Sequence, residues 1–269
     1  MHISNRAPVS SSASLYLGRK RTLYLGPMLP RLKLSLAASR LLVSPEAPLR
    51  VRVPGQPEVL EGHTLVLPVG MKVLLECGPQ PVADCHLDVT GLDLACLSTM
   101  ATRQMNGMAA ELENEATWIE QCRQWIQQPP SGETVQSTLE QLILPEPVVS
   151  RVDFHLDPRI ATTIELIQRR AADNPPLSEL AAAVGLSNSR LVNLFKSQVG
   201  VPVRRYRLWH RLFLACTLLA RDMSITEAAL EAGFTDAAHL NHVFRDILSI
   251  SPTQLFGKHR IIQVYAEGM

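Results

Sequence analysis

The stretch GFTDAAHLNHVFRDILSISP (Gly233–Pro252) places a Gly-Phe pair and a short polar run directly before a segment whose apolar residues, Leu240, Val243 and Phe244, recur at helical spacing. The same statement is made earlier in the chain. ELAAAVGLSNSRLVNLFKSQVGV (Glu179–Val201) aligns with EAALEAGFTDAAHLNHVFRDILSI (Glu227–Ile250). Gly185 falls on Gly233, Leu186 on Phe234 and Ser187 on Thr235; after one extra residue in the second turn, Phe195 falls on Phe244 and Lys196 on Arg245.

Each copy runs a short Ala-rich helix, a glycine, an apolar residue, a Ser or Thr, and then a second helix. Alanine lets two helices approach closely, glycine supplies a left-handed C-cap, and Ser187 or Thr235 caps the helix that follows. These are the parts of a helix-turn-helix. Leu191, Leu194 and Phe195, with Leu240, Val243 and Phe244, turn inward. The opposite face carries Asn188, Ser189, Arg190, Val192, Asn193 and Lys196 in the first copy. In the second it carries Ala238, His239, Asn241, His242 and Arg245, so both outer faces are expected to meet DNA. One such helix pair also occurs as plain packing in many enzymes; two copies favour the DNA reading. Between them VPVRRYRLWHRLFLACTLLARDM (Val201–Met223) reads as one connecting helix with Leu208, Leu212, Ala215, Leu218 and Leu219 inward. About 15 helical residues span roughly 22 Å. With the helices it joins, that length suits two readers in successive major grooves about 34 Å apart. Lys196, Arg204, Arg205, Arg207 and Arg245 are the candidates for phosphate contact.

The text from Pro175 to Pro252 resembles the DNA-binding domain of the AraC/XylS family of bacterial transcription regulators. The resemblance implies a two-motif DNA reader preceded by a sensing or dimerising domain, with Arg211 of the RLxxA pattern and the Gly-Phe pair as structural hallmarks. It places Ser189, Val192 and Asn193, then Ala238, His239 and His242, against the bases. Two departures stand out. Ser249 stands where the family usually has glycine, and no arginine faces the bases. Asn193 can pair with adenine in two hydrogen bonds and Val192 can pack on a thymine methyl, so the first motif is expected to carry most of the readout. The second is expected mainly to position on phosphates.

The chain's 269 residues leave room for a second domain, and 46% hydrophobic with 5% aromatic content predicts cores of Leu, Val, Ile and Ala. Net charge is +1, but residues 1–150 hold 12 Lys and Arg against 14 Asp and Glu, whereas residues 151–269 hold 14 against 11. The basic tilt lies on the helix-turn-helix side. Cys77, Cys85, Cys96, Cys122 and Cys216 are odd in number and set in apolar text, which predicts buried free thiols. No run approaches ~18 apolar residues and MHISNRAPVSSSAS lacks a signal-peptide core, so a cytoplasmic protein with no membrane partner is expected.

From Leu15 to about Leu97, short apolar runs are cut by Gly and Pro, as in LRVRVPG, TLVLPVG and KVLLECGP, which predicts a small antiparallel barrel or sandwich. The family resemblance makes it cupin-like. A helix is then expected over 105–127. Met105, Leu112, Ile119 and Ile126 recur every seven residues, Met108 and Cys122 lie between them, and Trp118 and Trp125 form a further line. Packing on the barrel and pairing with a second copy are the two uses for so wide an apolar surface; the dimer is favoured. A helix over 132–143, capped by Ser131, follows. The fold class is thus α+β multidomain: a disordered start at 1–14, a cupin-like domain at 15–145, a linker at 146–157 and an all-α DNA-binding domain at 158–269.

No cofactor is expected. Where metal-binding cupins place a His-x-His pair, the sequence has Arg31-Leu32-Lys33, and two cations cannot ligate a metal ion. That argues against the enzyme half of the alternative reading, a cupin-type enzyme or metabolite-binding protein fused to DNA-binding helices. The expected partners are promoter DNA, a second copy, RNA polymerase, and a small-molecule effector or regulatory protein. An acidic effector would have Arg31, Lys33, Arg50 or Arg52 to meet.

Overall fold

A computed structural model describes residues 13–18, 20–36, 38–248, 251–256 and 262–266. The strands are β1 Ala13–Leu17, β2 Thr22–Pro27, β3 Arg31–Ser35, β4 Arg40–Val43, β5 Leu49–Arg52, β6 Leu60–Gly62, β7 Thr64–Leu67, β8 Lys72–Glu76, β9 Pro81–His86, β10 Ala101–Met105, β11 Met108–Leu112 and β12 Ile262–Ala266. The helices are α1 Leu92–Met100, α2 Glu115–Gln127, α3 Gly132–Ile143, α4 Glu146–Val149, α5 Pro158–Arg169, α6 Leu177–Ala183, α7 Asn188–Val199, α8 Val203–Ala220, α9 Ile225–Glu231, α10 Ala237–Leu248 and α11 Pro252–Phe256.

Two sheets form the N-terminal half. One has eight strands in the order β10-β11-β7-β4-β9-β2-β1-β12, the other four in the order β3-β8-β5-β6. Period-2 alternation explains the packing between them. Leu42, Leu65, Leu67 and Val82 of the larger sheet meet Leu49, Val51, Val73 and Leu75 of the smaller in one buried cluster. The intervening residues of the larger sheet, such as Leu23, Leu41, Val43 and Val66, face the other way, where α1, α2 and α3 cover them. Arg21 fastens this layer: its Nε and Nη2 donate to Asp93 of α1 at 2.7 and 2.6 Å, and its Nη1 donates to Glu140 of α3.

The segment 105–127 is not one helix. Met105 ends β10, Met108 and Leu112 lie on β11, and the Asn106-Gly107 pair turns the hairpin with φ of 52° and 79°. Both residues sit in the left-handed region that a two-residue hairpin requires. Only Ile119, Ile126, Trp118, Cys122 and Trp125 of the expected seam are helical, on α2, and the last three are buried against the chain's own sheet. The seven-residue repeat is therefore coincidental, and its apolar residues are largely consumed by internal packing.

Three boundaries also differ. β1 begins at Ala13, inside the segment expected to be loose, while residues 1–12 lie outside the described residues. The linker contains the single-turn α4. Beyond the helices, β12 returns to the N-terminal half and pairs in parallel with β1, Tyr265 stacking on Tyr16 at 4.7 Å between centroids. The expected all-α unit thus ends in a strand of the larger sheet, which is not wholly antiparallel.

β1 joins the halves. Tyr16 points into the sheet–helix core, while Leu15 and Leu17 face the opposite way into a cluster with Leu212, Cys216 and Leu219 of α8 and Leu240, Val243 and Phe244 of α10. All five cysteines are unpaired and buried. No helix among the described residues is long and apolar enough to cross a membrane.

Candidate nucleic-acid interface

The first reader is α6, its turn and α7. Leu180 and Ala181 of α6 meet Leu191, Phe195 and Val199 of α7 in a buried cluster that also includes Ile160 and Ile164 of α5. Asp157 caps α5 by accepting from the Arg159 amide, with Pro158 as its first residue. The charged and neutral donors of Arg159 hold the Asp157 carboxyl at about 2. Gly185 takes φ 66° and Ser187 accepts from the Arg190 amide at 3.4 Å. Opposite the packed face, Asn188, Ser189, Arg190, Asn193 and Lys196 are exposed. Val192 is half-buried against the core cluster, which leaves part of its side chain outward.

The second reader is α9, its turn and α10. Ser224 and Glu227 form a reciprocal capping box at the start of α9. Gly233 takes φ 76°, and Arg211 of α8 donates from Nη1 to its carbonyl at 2.9 Å while lying over the Phe234 ring at 5.0 Å. The residue that caps α10 is Asp236, not Thr235: its Oδ1 accepts from the His239 amide at 2.7 Å. The one-residue insertion in this turn moved the cap forward by one place. Donation from the backbone also lowers the Asp236 carboxyl pKa.

The outer face of α10 divides in two. Ala238, His242 and Arg245 are exposed. His239 is engaged locally, its Nδ1 3.1 Å from Thr235 Oγ1 and its ring edge-on to Phe234, and Asn241 Nδ2 donates to the Ala237 carbonyl at 2.9 Å. Two of the five residues expected to meet DNA there therefore begin with partners on their own helix or turn.

The α8 helix has 18 residues, about 27 Å of axis. Leu212, Ala215 and Leu219 are buried, and Leu208 and Leu218 pack partly against the same cluster. Among the cations, Arg204 is exposed, but Arg205 donates to the Ser35 carbonyl of β3 at 3.3 Å and Arg207 donates to Asn174 and to the Pro175 carbonyl. Arg207 is thus a structural residue of the α5–α6 turn. Among the described residues, Arg190, Lys196, Arg204 and Arg245 form no ion pair, so their charge is unspent. Ser249, where the family pattern departs, lies outside the described residues.

A family model described as a helix-turn-helix domain matches residues 180–258. The arabinose operon regulatory protein of Salmonella typhimurium is 32% identical over 120 residues, which cover 43% of each chain. The HTH-type transcriptional regulator MtrA of Neisseria gonorrhoeae is 29% identical over 99 residues, 36% of this chain and 33% of that protein. The chain spans less than half the length of these curated relatives. ToxT from Vibrio cholerae has the same fold at a TM-score of 0.60 and 11% identity, over 88% of this chain and 97% of ToxT; it has also been solved with an unsaturated fatty acid bound. The part of the chain that carries the duplicated helix-turn-helix is thus similar to these transcription regulators.

Proposed function

We propose that the chain is a sequence-specific, DNA-binding transcription regulator of the cytoplasm. The observation that carries this reading is the pair of readers: α7 and α10 each present a polar outer face, and α8 holds them on one rigid element. Asn193, with Ser189 and Val192 beside it, reads base edges from α7; His242 and Ala238 contribute from α10. Lys196, Arg204 and Arg245 neutralise phosphates, and the capped N-terminus of α7 adds backbone donors. The matched relatives are transcription regulators, which points away from an enzyme.

The N-terminal half is proposed to sense and to regulate. The Arg205–Ser35 contact and the His86–Trp209 ring contact, 4.9 Å between centroids, tie α8 to the sheets. A small effector or a regulatory protein acting there changes how the readers sit, and with it occupancy or contact with RNA polymerase. That ToxT binds an unsaturated fatty acid supports a small molecule. Action as a homodimer is proposed as well, with Ile119 and Ile126, the half-exposed remnant of the expected seam, as the residues to change.

The test is selection of bound duplexes from random DNA by the full chain. Enrichment of one motif supports the reading; binding that is sensitive to salt but indifferent to sequence refutes it.

A further inference from the structure

The outward face of the smaller sheet is basic. Alternation along its strands sends Leu49, Val51, Val73 and Leu75 into the core and turns their neighbours to solvent. Arg31 and Lys33 of β3, Lys72 of β8, and Arg50 and Arg52 of β5 stand there against two carboxylates, Glu76 and Glu61. Arg31 and Arg50 share Glu76 at 3.6 and 4.0 Å, and Arg50 also reaches Glu61 at 3.2 Å. Lys33, Arg52 and Lys72 are exposed and form no ion pair among the described residues. In register, Lys33 and Arg52 flank Leu74 from either side, about two strand spacings or 10 Å apart. An acidic partner for these residues must therefore come from outside the sheets.

The rest of the N-terminal half has the opposite sign. Helices α2, α3 and α4 carry Glu115, Glu120, Glu133, Glu140 and Glu146 against one cation, Arg123. Glu120, Glu133 and Glu146 are exposed and form no ion pair among the described residues. These helices cover the face of the larger sheet that is turned away from the smaller one. A polyanion is thus repelled from one side of this half and drawn to the other.

The basic side is also where the first reader is joined. Val69, in the turn before β8, packs into the core cluster of α6 and α7. A Cβ added at Gly200, the C-cap of α7, would lie 2.5 Å from Val69 Cγ1. Arg205 of α8 donates to the carbonyl of Ser35, and Ser35 is the register partner of Lys72. The unpaired cations of the reader, Lys196 one turn before Gly200 and Arg204 beside Arg205, therefore flank the same joint as those of the sheet.

A duplex suits this face better than an acidic protein or a lipid surface. Half-buried Leu74 is the one apolar side chain at the outward strand positions, so a protein or a bilayer finds little to bury. DNA needs only cations, because each strand presents a phosphate about every 3.4 Å. A duplex already held by α7 also brings its flank to the sheet as an intramolecular contact.

We propose that Lys33, Arg52 and Lys72 bind the phosphate backbone of the DNA flanking the site read by α7. The inference rests on the regulator reading and extends it: the N-terminal half adds affinity without base specificity. A change in how the halves sit then alters the grip on the flank as well as the readers.

The experiment measures affinity of the full chain, at several salt concentrations, for a selected duplex of about 20 base pairs that spans two successive major grooves. The same duplex is then extended by about 15 base pairs of random sequence on either end in turn, beyond the turn of about 10 base pairs that one groove repeat occupies. One extension is expected to tighten binding at least about tenfold at low salt and to steepen the salt dependence by about 2 to 3, the share of three phosphates. The combined Lys33→Ala, Arg52→Ala and Lys72→Ala variant should lose that gain and bind the short duplex as before. Gln124→Glu, Gln127→Glu and Gln141→Glu together change net charge equally on the helical side and should keep the gain. No gain from either extension, a gain that survives the alanine variant, or an equal loss in the glutamate variant would overturn the proposal. Binding of phosphatidylserine vesicles or polyglutamate that the alanine variant loses, with no gain from either extension, would also overturn it and assign the face to another acidic partner. Failure to select any duplex overturns the regulator reading and the proposal together, whereas loss of the extension effect alone overturns only the proposal.

Discussion

Arg211 Nη1 donates to the carbonyl oxygen of Gly233 at 2.9 Å, so the connecting helix holds the turn of the second reader by a charged hydrogen bond. The same guanidinium covers the Phe234 ring. Two residues that the family pattern marks as hallmarks are thereby one device, which sets the angle at which α10 leaves its turn. Arg211→Leu should cost about 1.5–3 kcal/mol in urea unfolding, because a carbonyl loses a charged donor. It should also weaken DNA binding beyond what reduced folding explains.

The two turn glycines should respond differently. Gly185 has φ 66° with open space around an added Cβ, whereas at Gly233, φ 76°, that atom would lie 2.3 Å from the Ala172 carbonyl oxygen. Gly185→Ala should therefore cost only the left-handed backbone penalty of about 1–2 kcal/mol. Gly233→Ala should exceed it by about 1–3 kcal/mol of overpacking. Equal losses in urea unfolding would mean that the turn shifts freely.

Asn193→Ala should weaken binding to a selected duplex by about 1–3 kcal/mol and leave non-specific binding unchanged. Competition against random DNA separates the two, and equal losses on both would make Asn193 a packing residue.

The cations should sort by their present partners. Lys196→Ala, Arg204→Ala and Arg245→Ala should each reduce the slope of log affinity against log salt by about 1. Arg207→Ala should leave the slope alone and lower stability instead, since Arg207 is spent on Asn174 and the Pro175 carbonyl. Anisotropy titrations at several salt concentrations read both quantities.

Stability should fall in mild acid. Burial lowers His210 from 6.5 to about 4, its Nε2 has no hydrogen-bond partner among the described residues, and its ring packs edge-on to Tyr206. Between these values the unfolded chain binds the proton and the folded one does not. The folded state is therefore fully favoured above pH 6.5 and loses that advantage as pH falls toward 4. Melting temperatures of His210→Gln should depend less on pH across this window; His86, shifted in the same direction, keeps part of the slope.

Much of this was legible in the residues, for a physical reason. A helix-turn-helix depends on local requirements, a left-handed glycine, a capping side chain and an inward apolar stripe, and each leaves a mark at a fixed offset. Repetition made the marks unmistakable. The segment 105–127 misled because residues seven apart on a hairpin followed by a helix mimic a heptad; the Asn106-Gly107 pair was the overlooked signal. The alternation of IQVYA (Ile262–Ala266) hinted at a strand, but its pairing with β1 is set by tertiary contact alone.

The most direct measurement of the central claim, that α7 and α10 read DNA together, is hydroxyl-radical footprinting of the full chain on its selected duplex. Two protected patches on one face of the helix, about one turn of 10–10.5 base pairs apart, are expected, with Lys196→Ala thinning one and Arg245→Ala the other. A single patch affected only by changes on α7 would contradict it.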